Sequence, residues 1–313
     1  MLRSEPVHGV LVVDKPPGKT SAQVVAIVKK ITQAKRVGHT GTLDPMATGV
    51  LPVCVGEGTK LAGYLQAVDK EYTGEFLLGV ETDTLDKDGS VTKKSEAVAK
   101  SITRGQVEHV FEKFVGTILQ TPPMFSAVKV GGKRLHSLAR KGIEVERPQR
   151  KVEVSAFALE HFDGPVGSFR VACSKGTYVR TLLADVGTAL GCGAHLTSLR
   201  RTRCGRFSET EAICRDGEDS LSLQPRLVPP PTAVDHLPGV VVPSDWLSWV
   251  ENGRRIPSVE LGSNLGEEVF RLLGPNGALL ALAKVVDHQI CYERVFSYAL
   301  TGARHSSKLP RQS

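Results

Sequence analysis

Five prolines fall between Asp216 and Pro238 in DGEDSLSLQPRLVPPPTAVDHLP, three of them consecutive from Pro229. Proline lacks a backbone N–H and fixes φ, so no single helix or central strand runs through such a stretch. The chain is therefore predicted to divide there, into a unit of residues 1–215, a proline-rich linker over 216–239 and a small unit over 240–300. A length of 313 residues supplies the first unit with a core of its own. The second unit's short apolar runs, VVVP, EEVFRLLG, ALLALAKVV and CYERVF, are separated by glycine and proline and predict a β-rich module. The tail from 301 to 313 is basic and lacks apolar periodicity, which predicts disorder.

Within the first unit, GVLVVD from Gly9 predicts a short strand. SAQVVAIVKKI predicts a helix with Val24, Val28 and Ile31 on one face, capped by Thr20 or Ser21. The connecting DKPPGKTS ends in Gly18-Lys19-Thr20, which invites comparison with a phosphate-binding loop. That loop needs a glycine five positions before Gly18, and Val13 stands there. Tyr72–Leu78 predicts a strand, followed by an acidic turn around Asp86, Asp88 and Gly89 without the full calcium-loop spacing. Ser95–Phe114 predicts a helix with Val98, Ile102, Val107, Val110, Phe111 and Phe114 on its apolar face.

Charge points to the partner. Lys and Arg number 40 against 33 Asp and Glu, and KVGGKRLHSLARKGIEVERPQRK from Lys129 to Lys151 concentrates the excess. Such a segment is either a solvated face or a grip on a phosphate backbone, where Lys and Arg displace condensed counterions. The six cysteines form no CxxC pair, so neither a zinc site nor a disulfide framework is expected. No run of 18 apolar residues occurs, which argues against a spanning helix, and a secretory leader is not evident. Together these lead to the expectation of a reducing cytoplasm.

The most specific chemistry lies in GHTGTLDPMATGVLPVCVGEGTK, Gly38 to Lys60. Asp44, with Glu57 the one other acid in the stretch, sits among glycines and threonines, held extended by Pro45 and followed by an apolar strand. Taken alone, the stretch fits a turn-capping Asp as well as a reactive one. The whole string, however, resembles the signature of the TruB family of tRNA pseudouridine synthases. The resemblance extends through DKPPGKTS, KEYTGEFLLGVETDT, CSKGTYVRTLLADVG and GCGAHLTSLRRTR in the family's order, covering most of residues 9–211.

That resemblance implies an α+β pseudouridine synthase fold with a mixed, mostly antiparallel sheet and a basic insertion at about 124–151. It also suggests a C-terminal PUA-like RNA-binding module. It implies an isomerase that extrudes uridine-55 from the T-arm of tRNA and moves its glycosidic bond from nitrogen to carbon, without cofactor or metal. Asp44 maps onto the family's catalytic aspartate. Whether it adds to the base, adds to the sugar or assists departure of uracil is left open. Tyr72 is expected to stack on the base and accept a proton, and Arg180 to pair with Asp44, lowering its pKa. Tyr178 and Leu199 are expected to wall the uracil pocket, and His39 to enter the RNA loop. Lys60, Asp86 and Lys175 complete the implied substrate contacts. The family implies a monomer with no obligatory protein partner and no membrane. A contrasting reading is an RNA-binding, tRNA-folding module whose catalysis is secondary or lost.

Overall fold

A computed structural model describes residues 7–213, 226–261 and 268–298. The first unit is built on one sheet. Its strands are β1 (Gly9–Lys15), β2 (Thr48–Val55), β3 (Lys70–Leu78), β4 (Gly116–Gln120), β5 (Arg150–Asp163), β6 (Val166–Cys173) and β7 (Ala194–Cys204). They lie in the order β1-β2-β7-β3-β6-β5-β4, with short strands Val37–His39 on β2 and Phe207–Ser208 on β7. Pairing is antiparallel except between β2 and β7, where Thr48 and Gly49 face Arg200 and Arg201. The expected mixed, mostly antiparallel α+β sheet is what forms.

Helices α1 (Ser21–Thr32), α2 (Arg104–Lys113) and α3 (Val179–Ala189) cover one face. Their apolar stripes meet alternate strand residues in a core holding Leu11, Val13, Leu51, Val53, Phe76, Phe169, Val171 and Leu196. Phe111 of α2 stacks on Phe157 with ring centroids 3.8 Å apart. Thr20 caps α1 through a reciprocal pair with Gln23. Two expectations are corrected on this face. Ile31 is 37% exposed, because the stripe that α1 buries ends at Val28. The helix expected over Ser95–Phe114 is two helices, Glu96–Ala99 and α2, because Thr103 caps α2 with Gln106 and so starts a new helix there.

The C-terminal unit is a five-stranded sheet. Its strands are β8 (Gly239–Val241), β9 (Ile256–Pro257), β10 (Phe270–Leu273), β11 (Leu279–Val286) and β12 (Gln289–Val295), in the order β8-β10-β11-β12-β9. Leu279, Leu282 and Phe296 pack with Val10, Val12, Val50 and Cys54 on the side of the main sheet away from the helices. The linker expected over 216–239 is no free tether in its described part. Val228 pairs with Val10 of β1, Pro230–Ala233 forms a helical turn, and Ala233, Val234 and Leu237 join the same apolar cluster. Proline there ends regular structure without preventing burial. The tail at 301–313 lies outside the described residues. No described helix is long and apolar enough to cross a membrane.

The seam between β2 and β7 places the loop bearing Asp44, and it depends on one glycine. Gly49 has φ +97°, and a Cβ there would stand 2.2 Å from the Arg201 carbonyl oxygen. Gly49→Ala should cost about 3 kcal/mol from backbone strain and this clash. The loss is measurable as a fall in the urea midpoint, and an unchanged midpoint would refute the seam's role.

Candidate active site

The loop from Thr40 to Ala47 crosses the end of β2 and opens onto a cleft of about 560 Å³. Its conformation is fixed from several sides. Ser21, the first residue of α1, exchanges hydrogen bonds with Leu43: its hydroxyl donates to the carbonyl at 3.1 Å and accepts from the N–H at 2.9 Å. Lys15, at the end of β1 and shut off from solvent, donates to the carbonyls of Pro16, Lys19 and Pro45 at 2.9, 2.6 and 3.1 Å. Burial brings the Lys15 ammonium down to about 8, with Asp44 opposing and Arg201 assisting. Gln120 of β4 holds both the N–H and the carbonyl of Tyr178, at 2.7 and 3.1 Å, where the chain enters α3.

That entry places Arg180 in the first turn of α3, 4% exposed, facing Asp44. Its Nε lies 2.9 Å from Asp44 Oδ2 and its Nη2 donates to Oδ1 at 3.0 Å, a side-on fork. The same guanidinium donates to the carbonyls of Thr84 at 2.7 Å and Phe125 at 2.8 Å, and its Nη1 lies 3.3 Å from Asp86 Oδ2. Arg180 exerts the expected downward pull on the Asp44 pKa, but the net shift is upward. Burial pushes the carboxyl above its ordinary value, Arg180 pulls it down, and Asp86 adds to the rise.

The pH dependence follows from that sign. A nucleophilic carboxylate acts when ionised, so the single-turnover rate should fall as pH drops through the raised Asp44 value. The acid limb should lie above the ordinary 3.8, and a profile flat down to that pH would contradict the assignment.

Tyr72 and Leu199 come from adjacent strands. On β3, Tyr72 pairs with Arg201 of β7 and Gly74 with Leu199, so alternation turns Tyr72, Leu199 and Arg201 to the Asp44 side. Burial pushes the Tyr72 hydroxyl up to about 12, with neighbouring Arg201 opposing the rise. At neutral pH it is a phenol, so the expected acceptor role cannot run through a standing phenolate. Tyr178 lines the opposite wall, where burial raises its hydroxyl pKa, and Lys175 stands exposed among the lining residues.

Other sequence-predicted residues are placed differently. Asp86 is 5% exposed, accepts from Thr84 Oγ1 at 2.6 Å and from the Asp88 N–H at 3.1 Å, and backs Arg180 instead of lining the cleft. Lys60 is drawn away from a phosphate role. It is paired with Glu57 and donates to the Val295 carbonyl at 2.7 Å, at the seam with the C-terminal sheet. His39 is half-buried beside the loop, without lining the cleft, and burial and then Arg201 hold its pKa low, so its ring is neutral. Lys15 and Arg201 were missed. The available signal was alternation: Lys15 continues the inward face of Leu11 and Val13, and Arg201 that of Leu199.

Among the described residues six cations line the cleft, Lys70, Arg150, Lys151, Lys175, Arg180 and Arg201, against the single carboxylate Asp44. Such a groove favours a polyanion, and Asp44 is its one lining group able to act as an anionic nucleophile.

Residues 29–179 match the model of the TruB family pseudouridylate synthase (N terminal domain), and residues 180–218 that of the tRNA pseudouridylate synthase B C-terminal domain. The tRNA pseudouridine synthase B of Syntrophus aciditrophicus (strain SB) is 40% identical over 292 residues, covering 89% of this chain and 91% of that protein. That of Symbiobacterium thermophilum is 50% identical over 239 residues, 75% of this chain and 79% of the relative. Among solved structures, a chain of a Cbf5-Nop10-Gar1 complex superposes with a TM-score of 0.70 at 29% identity, covering 92% of this chain and 84% of that one. With likeness of this extent carried by the strands and loops that build the cleft, the chain belongs to the TruB family of pseudouridylate synthases.

Proposed function

We propose that this protein is an isomerase that converts uridine-55 in the T-arm of tRNA to pseudouridine. The observation that carries the reading is Asp44, gripped through both oxygens by buried Arg180 at the edge of a basic cleft. Tyr72 supplies a ring face for an extruded pyrimidine, Leu199 an apolar wall and Tyr178 the opposite side. His39 occupies the space the base leaves in the RNA loop. Lys175 and the basic segment within 124–151 follow the phosphate backbone. Residues 1–215 form the catalytic unit and 240–300 an RNA-binding unit of PUA-like type. The protein works as a cytoplasmic monomer, with tRNA as its partner and neither cofactor nor metal.

The test is pseudouridine formation in a T-arm stem-loop transcript, in chelator-treated buffer with no added nucleotide. Stoichiometric product supports the reading. RNA bound without product would transfer the protein to the tRNA-folding class.

A further inference from the structure

Arg201 is the largest fully buried side chain, 1% exposed. Its Nε donates to the Val50 carbonyl at 2.7 Å and its Nη2 to the Gly41 carbonyl at 3.2 Å, and it stands directly across from Tyr72 in the pairing of β7 with β3. One guanidinium thus ties β2 to the loop carrying Asp44, beside the aromatic wall of the cleft. Among the described residues it has no carboxylate partner: Asp44 and Asp86 serve Arg180, and Asp14 and Glu209 serve neighbouring Arg200. An uncompensated buried cation is expensive, and an apolar side chain would fill the space at lower cost. The charge reaches other groups nearby. After burial itself, Arg201 opposes protonation of His39, and at Tyr72 it opposes the rise that burial causes.

We propose that Arg201 is a positioning residue for pseudouridine formation and the source of the positive field in which the departing base carries its negative charge. The inference rests on the isomerase reading above. When the C1′–N1 bond breaks, its electron pair leaves with uracil and spreads over N1 and the flanking carbonyl oxygens. Bonding of C5 to C1′ uses that pair again, the C5 proton is then released to solvent, and N1 takes one up. No atom is gained or lost. A fixed cation at the wall lowers the energy of the anionic stage more than that of neutral uridine, which is what accelerates a step.

The test compares the parent with Arg201→Gln and Arg201→Lys under single turnover, on stem-loops carrying uridine or 5-fluorouridine, whose more acidic base departs more readily. Folding is checked by thermal melting, and C1′–N1 cleavage and RNA affinity are read separately. Arg201→Gln should lose about 100-fold in rate on uridine with RNA affinity held within about threefold, and clearly less than 100-fold on 5-fluorouridine. Arg201→Lys keeps the charge without the fork, so it should lose about tenfold on both substrates alike. Equal losses on both substrates in Arg201→Gln would overturn the field and leave a structural residue. If Arg201→Gln does not fold, Arg201→Lys decides, and a rate equal to the parent's or a substrate-dependent loss overturns the proposal. A parent that makes no pseudouridine would refute the isomerase reading itself.

Discussion

Asp44→Asn should abolish pseudouridine formation, by roughly 10⁴-fold or more, while leaving the fold and RNA binding intact. The amide keeps the shape of the carboxylate and loses its negative charge, so the side chain can neither add to the substrate nor stabilise a developing cation. The fold survives because Arg180 keeps Asp86 at 3.3 Å and the carbonyls of Thr84 and Phe125 at 2.7 and 2.8 Å. The guanidinium is never left as a bare buried charge. The measurement is product per enzyme in single turnover beside a filter-binding curve for the same stem-loop. Residual activity within tenfold of the parent would remove Asp44 from the chemistry.

Arg180→Met should be the most damaging single change to the folded state at this site. The side chain is 4% exposed and bridges two carboxylates and two carbonyls that lie far apart in sequence. Removing it leaves Asp44 and Asp86 as uncompensated neighbours, and breaking a buried pair in this way costs about 3–5 kcal/mol. Asp44 would lose the contact that opposes its upward shift and would hold its proton to higher pH, so the acid limb of the rate profile should move up. Arg180→Lys restores the charge on a single point that cannot span the fork. Its melting temperature should recover most of the loss, while its rate stays on the order of 10² below the parent. Equal rates for Arg180→Lys and parent would show that charge alone suffices.

How much of this was legible before any coordinates differs residue by residue. Strands such as β1 and β2 were, because unbroken β-branched runs bounded by glycine and proline have few other solutions. Asp44 and Arg180 were legible as a pair only through the family's signature, since 136 positions separate them in the chain and no local pattern joins them. Lys60 and Asp86 show the opposite case. Their types and neighbourhoods suited RNA contacts, yet the ion pair with Glu57 and the Thr84 turn claim them elsewhere. Arg200 and Arg201 are adjacent and identical in type. Strand alternation sends Arg200 to Asp14 and Glu209, and Arg201 into the core beneath the loop.

By itself the sequence determined the strands that begin at Gly9, Thr48 and Lys70, the Thr20 cap and the family. These depend on short-range steric preference and on strings long enough to be distinctive. Only the tertiary structure decided that burial outweighs Arg180 at Asp44, that the proline segment packs against β1, and that Lys15 and Arg201 stand under the catalytic loop. Each depends on which distant groups share a low-dielectric space, and electrostatic energy there is set by distances that the folded sheet alone defines.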